Sequence, residues 1–272
     1  MNGFDPKWLA ALRADNRQTP LRPRLPLLAG AAVIGSVESD LLSRIELPPL
    51  PDGRKQLSKE ERPEGAAWHL RGEATVGLNA LALALREAGL AHAWRDEQLA
   101  VTDPKGRRVG TVERAVVRVL GIATQAVHLV GQAEDGRFWV QQRALSKAND
   151  PGLWDTLMGG MVSSADTLAS ALERETWEEA GLKFDTLQNI IRGGHLDIRR
   201  PCADGQGAGY VVEHIDWYRC TVPDGLEPLN QDGEVERFVL MDRNEVLQKM
   251  QQNEFTAEAA LIHAARLALP GG

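Results

Sequence analysis

A single predicted helix carries three glutamates and an arginine close to its end. Arg174 is followed by Glu175, Glu178 and Glu179 in the segment 160–182, which reads GMVSSADTLASALERETWEEAGL. Residues three and four positions apart lie on one side of a helix, so the three carboxylates are expected to form one acidic patch. Like charges repel in such a patch, and burial raises the pKa of a carboxyl unless a cation neutralises it. The spacing therefore predicts a divalent-metal site.

Mg²⁺ is the cation that best suits this patch, and Mn²⁺ is the alternative. Hard cations prefer carboxylate oxygens, and Mg²⁺ in proteins usually binds a few carboxylates, waters and the phosphates of a substrate. An isolated cluster of glutamates on a helix is, however, more often a solvated face than a metal site. The residues around the cluster decide between these two interpretations.

The segment resembles the Nudix box, in which a glycine and a glutamate precede the motif REUxEExGU, where U is aliphatic. The match consists of Gly160, Arg174, Glu175, Glu178, Glu179, Gly181 and Leu182. Two positions depart from the pattern, because Asp166 replaces the glutamate and Thr176 replaces an aliphatic residue. We expect Asp166 to keep a charge at the helix start, where it can cap the helix or favour its dipole. The resemblance implies an α/β/α sandwich and metal-dependent hydrolysis of a diphosphate.

Cationic and aromatic residues precede the helix. Arg143, at the end of a predicted strand, and Lys147 are candidates to bind a diphosphate, because Arg suits bidentate contact and Lys supplies a point charge. Both also fit solvated surface positions. The turn PGLWD is expected to bring Trp154 beside Gly159 and Gly160, where the backbone can approach a phosphate closely. Trp154 fits a core aromatic equally well.

The segment DGEVERF supplies a further acidic candidate. In the Nudix family an acidic residue beyond the box often completes the metal site or acts as a base, and this resemblance selects Glu234, whose position after a turn could face the cleft. Glu234 and Glu236 alternate, so a solvent-facing strand explains them equally well. By the same resemblance, Glu175, Glu178 and Glu179 are the metal ligands, Arg174 holds a glutamate in place, and the general base is Glu179 or Glu234.

Composition and charge narrow the class of protein. With 43% hydrophobic and 25% charged residues, the chain is typical of a globular protein with a full core. Its net charge of -7 argues against binding to a nucleic-acid polymer and favours a small-molecule substrate. No stretch approaches the roughly 18 apolar residues of a membrane span, and the first residues lack the apolar segment of a signal peptide. We therefore expect a cytoplasmic protein with no membrane partner.

The cysteines and histidines show no metal-ligand spacing. Cys202 and Cys220 cannot form a disulfide framework and are expected to pack within the fold. His128, His195 and His214 are not spaced as ligands with one another or with a pair of carboxylates, so we interpret them as structural. The sequence does not indicate an oligomeric state, and a homodimer stays open.

The pattern along the chain predicts an α+β protein of two domains. Residues 1–118 are expected to form an N-terminal accessory α+β domain. For the domain at residues 119–272 the pattern alone predicts mixed α and β structure, and the resemblance to the Nudix family implies an α/β/α sandwich with a mixed sheet. Within the first domain, the polar segment 48–65 is predicted as a loop, 72–90 as a helix and 99–112 as a hairpin. In the second, two strands follow Val119 and two helices close the chain.

A longer string resembles one subgroup of the family. The sequences QQRALSKANDPGLWDTLMGG and NQDGEVERFVLMD are similar to the thiamine-diphosphate-related Nudix hydrolases, which carry an extra N-terminal domain of roughly 120 residues. The resemblance implies hydrolysis of thiamine diphosphate, or of its oxidised or damaged analogues, to the monophosphate plus phosphate. We expect the N-terminal domain to cover the cleft and to help select the organic group.

Three other functions stay open at this point. The first is hydrolysis of nucleoside diphosphate derivatives, and the second is a non-catalytic Nudix-like module that binds a metabolite. Such modules commonly lose box glutamates, whereas this chain keeps all three. The third is isopentenyl-diphosphate isomerase, which the segment resembles in its QxR strand and its tryptophan before the box. That reaction uses a cysteine after the tryptophan, and DTLMGGMV contains none, so the isomerase is disfavoured.

Overall fold

Helices and strands alternate along the chain, and the predicted α+β class is confirmed. The computed structural model describes residues 4–91 and 93–269. The helices are α1 (Pro6–Asp15), α2 (Ala74–Glu87), α3 (Leu168–Ala180), the short α4 (Asp204–Gly207), α5 (Arg243–Gln251) and α6 (Ala257–Ala268). We call residues before 119 the first region and those from 119 onwards the second. The strands of the first region are β1 (Arg24–Ala29), β2 (Ala32–Glu38), β3 (Leu57–Arg62), β4 (Gly65–Leu70), β5 (Gln98–Thr102) and β6 (Arg108–Glu113). Those of the second are β7 (Thr124–Ala133), β8 (Phe138–Arg143), β9 (Trp154–Asp155), β10 (Met158–Met161), β11 (Gln188–Cys202), β12 (Gly209–Val222) and β13 (Val235–Met241).

The strands form two sheets and a separate hairpin. The first sheet has four strands in the order β2-β1-β4-β3, and β5 pairs with β6 as the predicted hairpin. The second sheet has seven strands, with the order β11-β12-β7-β8-β13, while β10 pairs with β7 and β9 with β8. It is mixed, because β12 runs parallel to β7 and its other pairs are antiparallel. Among the described residues, no helix is long and apolar enough to cross a membrane.

Helices pack on both faces of the second sheet, and the side chains of β7 point alternately towards them. Val127 and Leu129 belong to a core that includes Leu172 of α3, whereas Ala126 and Val130 belong to a core that includes the apolar side of α6. Successive side chains of a strand point to opposite faces, so one strand contributes to both layers. The result is the α/β/α sandwich with a mixed sheet that the sequence predicted.

The segment predicted as a loop at 48–65 contains a strand, which corrects that prediction. β3 pairs antiparallel with β4, from Leu57 opposite Leu70 to Arg62 opposite Gly65. Most of its side chains are charged or polar and partly exposed, and Glu60 forms an ion pair with Arg71. Charged residues have low strand propensity, and an edge strand can be polar because one face and one edge meet water. Pairing with β4 determines this strand, and composition alone misses it.

The first helix packs on the second region of the chain. Trp8, Leu9 and Leu12 of α1 lie against the core that contains α6, and Gln18 N donates to Arg199 O at 2.8 Å. In the other direction, Met161 of β10 belongs to the core of the first region. Each region therefore contributes side chains to the core of the other, while the division between residues 118 and 119 stays a prediction.

The core below β8 encloses a histidine that lacks hydrogen-bond partners among the described residues. His263 of α6 is fully buried, and its ring meets Phe138 and Phe255 edge-on, with ring centroids 5.5 and 5.4 Å away. Neither ring nitrogen has a hydrogen-bond partner within the described part of the chain. Burial, with smaller contributions from the charges of His128 and Arg266, lowers the pKa of His263 to about 3. The ring is therefore neutral throughout the range in which most proteins stay folded.

This histidine is expected to make the protein sensitive to acid. A folded-state pKa below the unfolded value, about 6.5, means that the stabilisation is complete above pH 6.5 and is lost as the pH falls towards 3. Between pH 7 and pH 4, this one group should remove about 3 kcal/mol from the free energy of unfolding. Urea unfolding at both pH values should show that the free energy of unfolding falls by about 3 kcal/mol less in His263→Leu than in wild type. The exposed His195 gives a control, His195→Leu, and an unchanged pH dependence in His263→Leu would contradict the assignment.

Candidate active site

The helix α3 is fixed at both ends by local hydrogen bonds. Thr167 is its N-cap, and a capping box joins Thr167 to Ser170 in both directions. Asp166 was expected to cap the helix or to favour its dipole, but the N-cap is Thr167, which accepts from the Ser170 backbone, while Oδ1 of Asp166 accepts from the Ser170 hydroxyl. At the other end Gly181 adopts the left-handed conformation, with φ of 62°, which glycine reaches without strain.

Asp166 binds Arg174 instead. Its Oδ2 accepts from Nε of Arg174 at 3.0 Å and from Nη2 at 2.8 Å, so the shorter carboxylate still reaches the guanidinium. Nη1 of Arg174 contacts Oε1 of Glu175 at 2.9 Å and Oε2 of Glu178 at 2.8 Å. Although burial acts in the opposite direction, these three carboxylates raise the pKa of Arg174. Arg174 therefore contacts two of the predicted metal ligands, and its role in positioning them stays a prediction.

The second departure from the box is accommodated by a hydrogen bond. Thr176 is fully buried, and its hydroxyl donates to the backbone oxygen of Leu172 at 2.6 Å. A threonine inside a helix can satisfy its hydroxyl in this way. Thr176 thus occupies an aliphatic position without leaving a buried polar group unpaired.

Glu179 is the most deeply buried of the three glutamates, with 3% of its surface exposed. Its Oε2 accepts from the backbone N of Gly159 at 3.0 Å and from Nε2 of Gln141 at 2.9 Å. Burial raises the pKa of Glu179 to about 8, and the charges of Glu175 and Asp155 add to this effect. A buried carboxyl with a raised pKa is a group whose charged form a cation would stabilise.

Glu175 lies beside the glycines of β10. Burial, together with the charge of Glu178, raises the pKa of Glu175 to about 7 despite its contact with Arg174. A Cβ atom on Gly160 would lie 2.1 Å from Cδ of Glu175, and one on Gly159 would lie 2.3 Å from Cε1 of His128. The glycines were expected to let a phosphate approach. In the structure, Glu175 and His128 fill the space that a side chain at these positions would need.

Glu178 differs from the other two. Its side chain is 44% exposed and bonds to Arg174, and it is not among the residues that line the neighbouring cavity. Within residues 4–91 and 93–269, no group of three or more His, Cys, Asp or Glu side chains is arranged to hold a metal ion. Glu175 and Glu178 both contact Nη1 of Arg174, and the assignment of all three glutamates to one cation stays a prediction.

The chemistry of these residues nevertheless fits a hard divalent cation. All three candidate ligands are carboxylates, which suit Mg²⁺ or Mn²⁺ and not softer metals. Glu179 is buried and Glu175 is partly buried, and burial raises the pKa of both. The charge of Glu178 raises the pKa of Glu175 further, and the charge of Glu175 raises that of Glu179. A cation at this point would remove that repulsion.

A cavity of about 280 Å³ lies beside Glu175 and Glu179, between the first region and the second sheet. Its charged and polar lining comes from both regions of the chain. These residues include Arg95, Arg114, Arg118, His128, Arg143, Lys147, Asp155, Gly159, Gly160, Glu175, Glu179, Arg200, Cys202, Asp204, Glu213, Glu234, Thr256 and Glu258. Six of the side chains just named are arginine or lysine cations, and three of those precede residue 119. Such a mixture of carboxylates and cations suits an anionic substrate that is bound together with a cation.

Three predicted residues meet at the rim of this cavity. Arg143 Nη1 contacts Oδ2 of Asp155 at 3.3 Å. Lys147 forms an ion pair with Glu234, whose other oxygen lies 3.7 Å from Nη1 of Arg95. Burial by itself raises the pKa of Glu234, but the hydrogen bond and charge of Lys147 outweigh it, and the net pKa is lowered. Glu234 is thus held ionised, and Lys147 is held in place.

Trp154 does not line the cavity, which corrects its assignment to substrate binding. Only 5% of the residue is exposed, and its ring lies between Arg237 and Lys249, 5.3 and 5.8 Å from the ring centroid. Trp154 and Asp155 form β9, which pairs with β8. Neighbouring side chains of a strand point to opposite faces, so Asp155 lines the cavity while Trp154 enters the core.

Several residues that line the cavity were not predicted from the sequence as site residues. His128 was assigned a structural role, but it lines the cavity, with Nδ1 3.0 Å from Oγ1 of Thr156. Glu213 also lines the cavity, and it is 8% exposed. The sequence contained a signal for Glu213, because it occupies a buried position of β12, in alternation with Val211 and Ile215. A charged residue at such a position needs a partner or a ligand.

Comparisons with known proteins identify the second region. The family model of the NUDIX domain matches residues 123–261. Nudix hydrolase 20, chloroplastic, of Arabidopsis thaliana is 31% identical over 151 residues, which cover 53% of this chain and 38% of that protein. Isopentenyl-diphosphate Delta-isomerase of Leifsonia xyli is 30% identical over 138 residues, or 48% of this chain and 70% of that protein. Among solved structures, the crystal structure of DR0079 from Deinococcus radiodurans has a TM-score of 0.50 and 18% identity, and covers 64% of this chain and 100% of that one.

The extent of these similarities limits what they carry over. The chain spans between 38% and 54% of the length of the first four curated relatives that it matches. The likeness to the Deinococcus structure, at 18% identity, concerns the fold alone.

Proposed function

Because the chain belongs to the NUDIX family, we propose that it is a hydrolase that cleaves the diphosphate of a small organic molecule with a divalent cation. The observation that carries this proposal is a pair of carboxyls with raised pKa values, the partly buried Glu175 and the buried Glu179, at the wall of a cavity rich in arginine and lysine. Carboxylates for a cation and cations for phosphates are both needed to bind a metal diphosphate. We name Mg²⁺ as the cation, with Mn²⁺ as the alternative.

Glu175, Glu178 and Glu179 would hold the cation. When bound, the cation would neutralise charge on the phosphates and activate the attacking water. Glu179 is kept in position by Gly159 and Gln141, and Glu175 by Arg174. Recruitment of Glu178 requires its carboxylate to leave Arg174, a surface-exposed contact that costs little to exchange.

The remaining cavity residues would bind the diphosphate and move its protons. Arg143 and Lys147 lie at the rim and supply charge-assisted hydrogen bonds to phosphate oxygens. Two acids are candidates for the general base. Glu179 lies at the cavity wall, where a bound cation would lower its raised pKa and favour the ionised form that accepts a proton, whereas Glu234 is tied to Lys147 in an ion pair. We therefore prefer Glu179 as the base and assign Glu234 the task of positioning Lys147.

For the substrate we propose thiamine diphosphate or an oxidised or damaged analogue, with the monophosphate and phosphate as products. The resemblance of QQRALSKANDPGLWDTLMGG and NQDGEVERFVLMD to the thiamine-diphosphate-related subgroup supports this choice. The first region, residues 1–118, would act as an accessory domain to a Nudix domain at residues 119–272. Arg95, Arg114 and Arg118 of the first region line the cavity, which supports a role for this region in selecting the substrate.

Isomerisation of isopentenyl diphosphate is a second candidate, since an isomerase is similar to much of the second region. One observation favours it: Cys202 lines the cavity, although the loop after Trp154 has no cysteine. Burial raises the pKa of the Cys202 thiol, which opposes the thiolate form and weakens this alternative. Hydrolysis therefore stays the preferred reaction.

A panel of diphosphates assayed with Mg²⁺ would test the reaction and the leaving group together. It comprises thiamine diphosphate, oxothiamine diphosphate, nucleoside diphosphate sugars, dinucleoside polyphosphates and isopentenyl diphosphate. We expect phosphate release from the first two at the highest kcat/KM. Release mainly from the nucleotide derivatives would replace the proposed substrate, and an allylic product from isopentenyl diphosphate would replace the reaction. Binding without phosphate release would indicate a metabolite-binding module.

A further inference from the structure

A second acidic group lines the cavity away from α3. Glu213 of β12, Asp204 of α4 and Glu258 of α6 all contribute to the lining. None of them belongs to the box helix or to the segment DGEVERF, so the proposed hydrolysis does not use them. Buried or half-buried carboxylates in a cavity need cations or hydrogen-bond donors.

Two of these three carboxylates have arginine partners. Oε1 of Glu258 lies 3.2 Å from Nη2 of Arg200, and Oδ2 of Asp204 lies 3.7 Å from Nη1 of Arg118. The charge of Arg118 also acts on Glu213. Among the described residues, however, the hydrogen bond that its carboxylate accepts comes from the Thr124 hydroxyl, and at 3.3 Å it is long. A carboxylate can accept about four hydrogen bonds. Glu213 thus combines the deepest burial of the three with the poorest supply of donors.

The strand register gives the position of Glu213 relative to the proposed cation site. Glu213 lies opposite Thr124 of β7, while His128 of the same strand lies opposite Gly159, whose N donates to Glu179. Thr124, Ala126 and His128 share one face of β7, since side chains alternate along a strand. From Thr124 to His128 the strand advances roughly 13 Å. That span accommodates a diphosphate at one end and an organic ring at the other.

We propose that Glu213 is the specificity-determining residue of this cavity, and that it binds an amino group or a protonated ring nitrogen of a heteroaromatic or cationic organic group. The inference rests on the proposed diphosphate hydrolysis and names the part of the substrate remote from the phosphates. A nitrogen-bearing group supplies a further donor to Glu213, beside the Thr124 hydroxyl. The aminopyrimidine ring of thiamine diphosphate carries such a group.

The same carboxylate disfavours substrates whose organic group has no hydrogen-bond donor. An isoprenoid chain has no donor, so its binding would cover Glu213 and leave a buried carboxyl with the long Thr124 contact as its hydrogen bond, at a cost that a polar ligand avoids. A site built to pair with a polar group rejects analogues that lack that group more strongly than a purely apolar pocket can reject them. Glu213 therefore selects amino-bearing substrates and rejects isoprenoid diphosphates.

The test compares Glu213→Gln with wild type in the full-length protein. Affinities for thiamine diphosphate and for inorganic pyrophosphate are measured by calorimetry, and KM and kcat are measured for phosphate release from the former. We expect the affinity for thiamine diphosphate to fall between about ten- and a hundredfold, with KM rising in parallel, kcat nearly unchanged and pyrophosphate binding unaffected. Glu236→Gln, a change at an exposed position of β13, serves as the matched control.

The outcomes separate this inference from the proposed reaction. If wild type binds thiamine diphosphate without cleaving it, the hydrolase proposal fails, while a weaker affinity in Glu213→Gln would still support the role of Glu213. Equal affinity of wild type and Glu213→Gln for thiamine diphosphate would overturn the inference, and so would an equal loss for pyrophosphate. Should Glu213→Gln fail to fold, Glu213→Leu, which is apolar and of similar volume, carries the same comparison with the same expected loss.

Discussion

Replacing Glu179 by Gln is expected to lower kcat for diphosphate hydrolysis by about a thousandfold, equivalent to about 4 kcal/mol of transition-state stabilisation. The amide keeps the shape of the carboxylate but removes the charge that would hold the cation and the group proposed to accept a proton. Stability should not fall in parallel. Glu179 is buried with a pKa of about 8, so a neutral isostere removes the cost of burying its charge. Steady-state assays at saturating Mg²⁺, with thermal unfolding of the metal-free protein, measure both effects.

The matched control for this variant lies on the same helix. Glu173→Gln removes an equal charge from an exposed position of α3, and we expect its kcat to stay within twofold of wild type, roughly the scatter of surface substitutions. If Glu179→Gln retained more than a tenth of the wild-type kcat, Glu179 would not be a ligand or a base. A parallel collapse of the melting temperature would assign the loss to folding.

Gly160→Ala is expected to lower kcat by about a hundredfold with little loss of stability. The new Cβ would lie 2.1 Å from Cδ and 2.4 Å from Oε1 of Glu175. Because these atoms end a flexible side chain, Glu175 can move aside at small cost to the fold. The displacement carries a candidate ligand away from the cavity wall, and a shift of about 1 Å at a reacting centre can cost this factor in rate. Activity assays and thermal unfolding of the variant test both parts.

A double-mutant cycle shows whether Glu175 transmits this effect. If Gly160 matters only because it leaves room for Glu175, then adding Gly160→Ala to Glu175→Ala should cause no further loss of kcat. Additive losses would point to another role for Gly160, namely the close approach of its backbone to a phosphate that the sequence first suggested. The cycle thus decides between two explanations of one glycine.

The parts of the site that the sequence predicted are those set by local geometry. The spacing of Arg174, Glu175 and Glu179 follows from helical periodicity, and the structure brings Glu175 and Glu179 to one cavity. Glu178 follows the same period and pairs with Arg174, four positions before it on the helix. The α+β class and the hairpin β5–β6 were likewise predictable, because alternation and turn residues carry their signal.

The parts that the sequence missed depend on contacts between distant residues. Glu213 meets Thr124 across 89 positions of the chain, and only the pairing of β12 with β7 shows that its face borders the cavity. Trp154 and Asp155 form a strand of two residues, which is too short for alternation to reveal which side chain enters the core. β3 is charged, and its pairing with β4 determines it against the propensity of its residues.

The position of α1 bears on any attempt to exchange the accessory region between relatives. A chimera joined near residue 118 would replace α1 together with β1–β6, although α1 packs on the core of α6 and Gln18 bonds to Arg199. The foreign helix would then meet a surface that did not evolve with it. A transplant that retains residues 4–18 and exchanges only the following strands and α2 would leave that contact intact. The proposed role of residues 1–118 in substrate choice can therefore be tested by exchanges in the segment after α1, where Arg95, Arg114 and Arg118 lie.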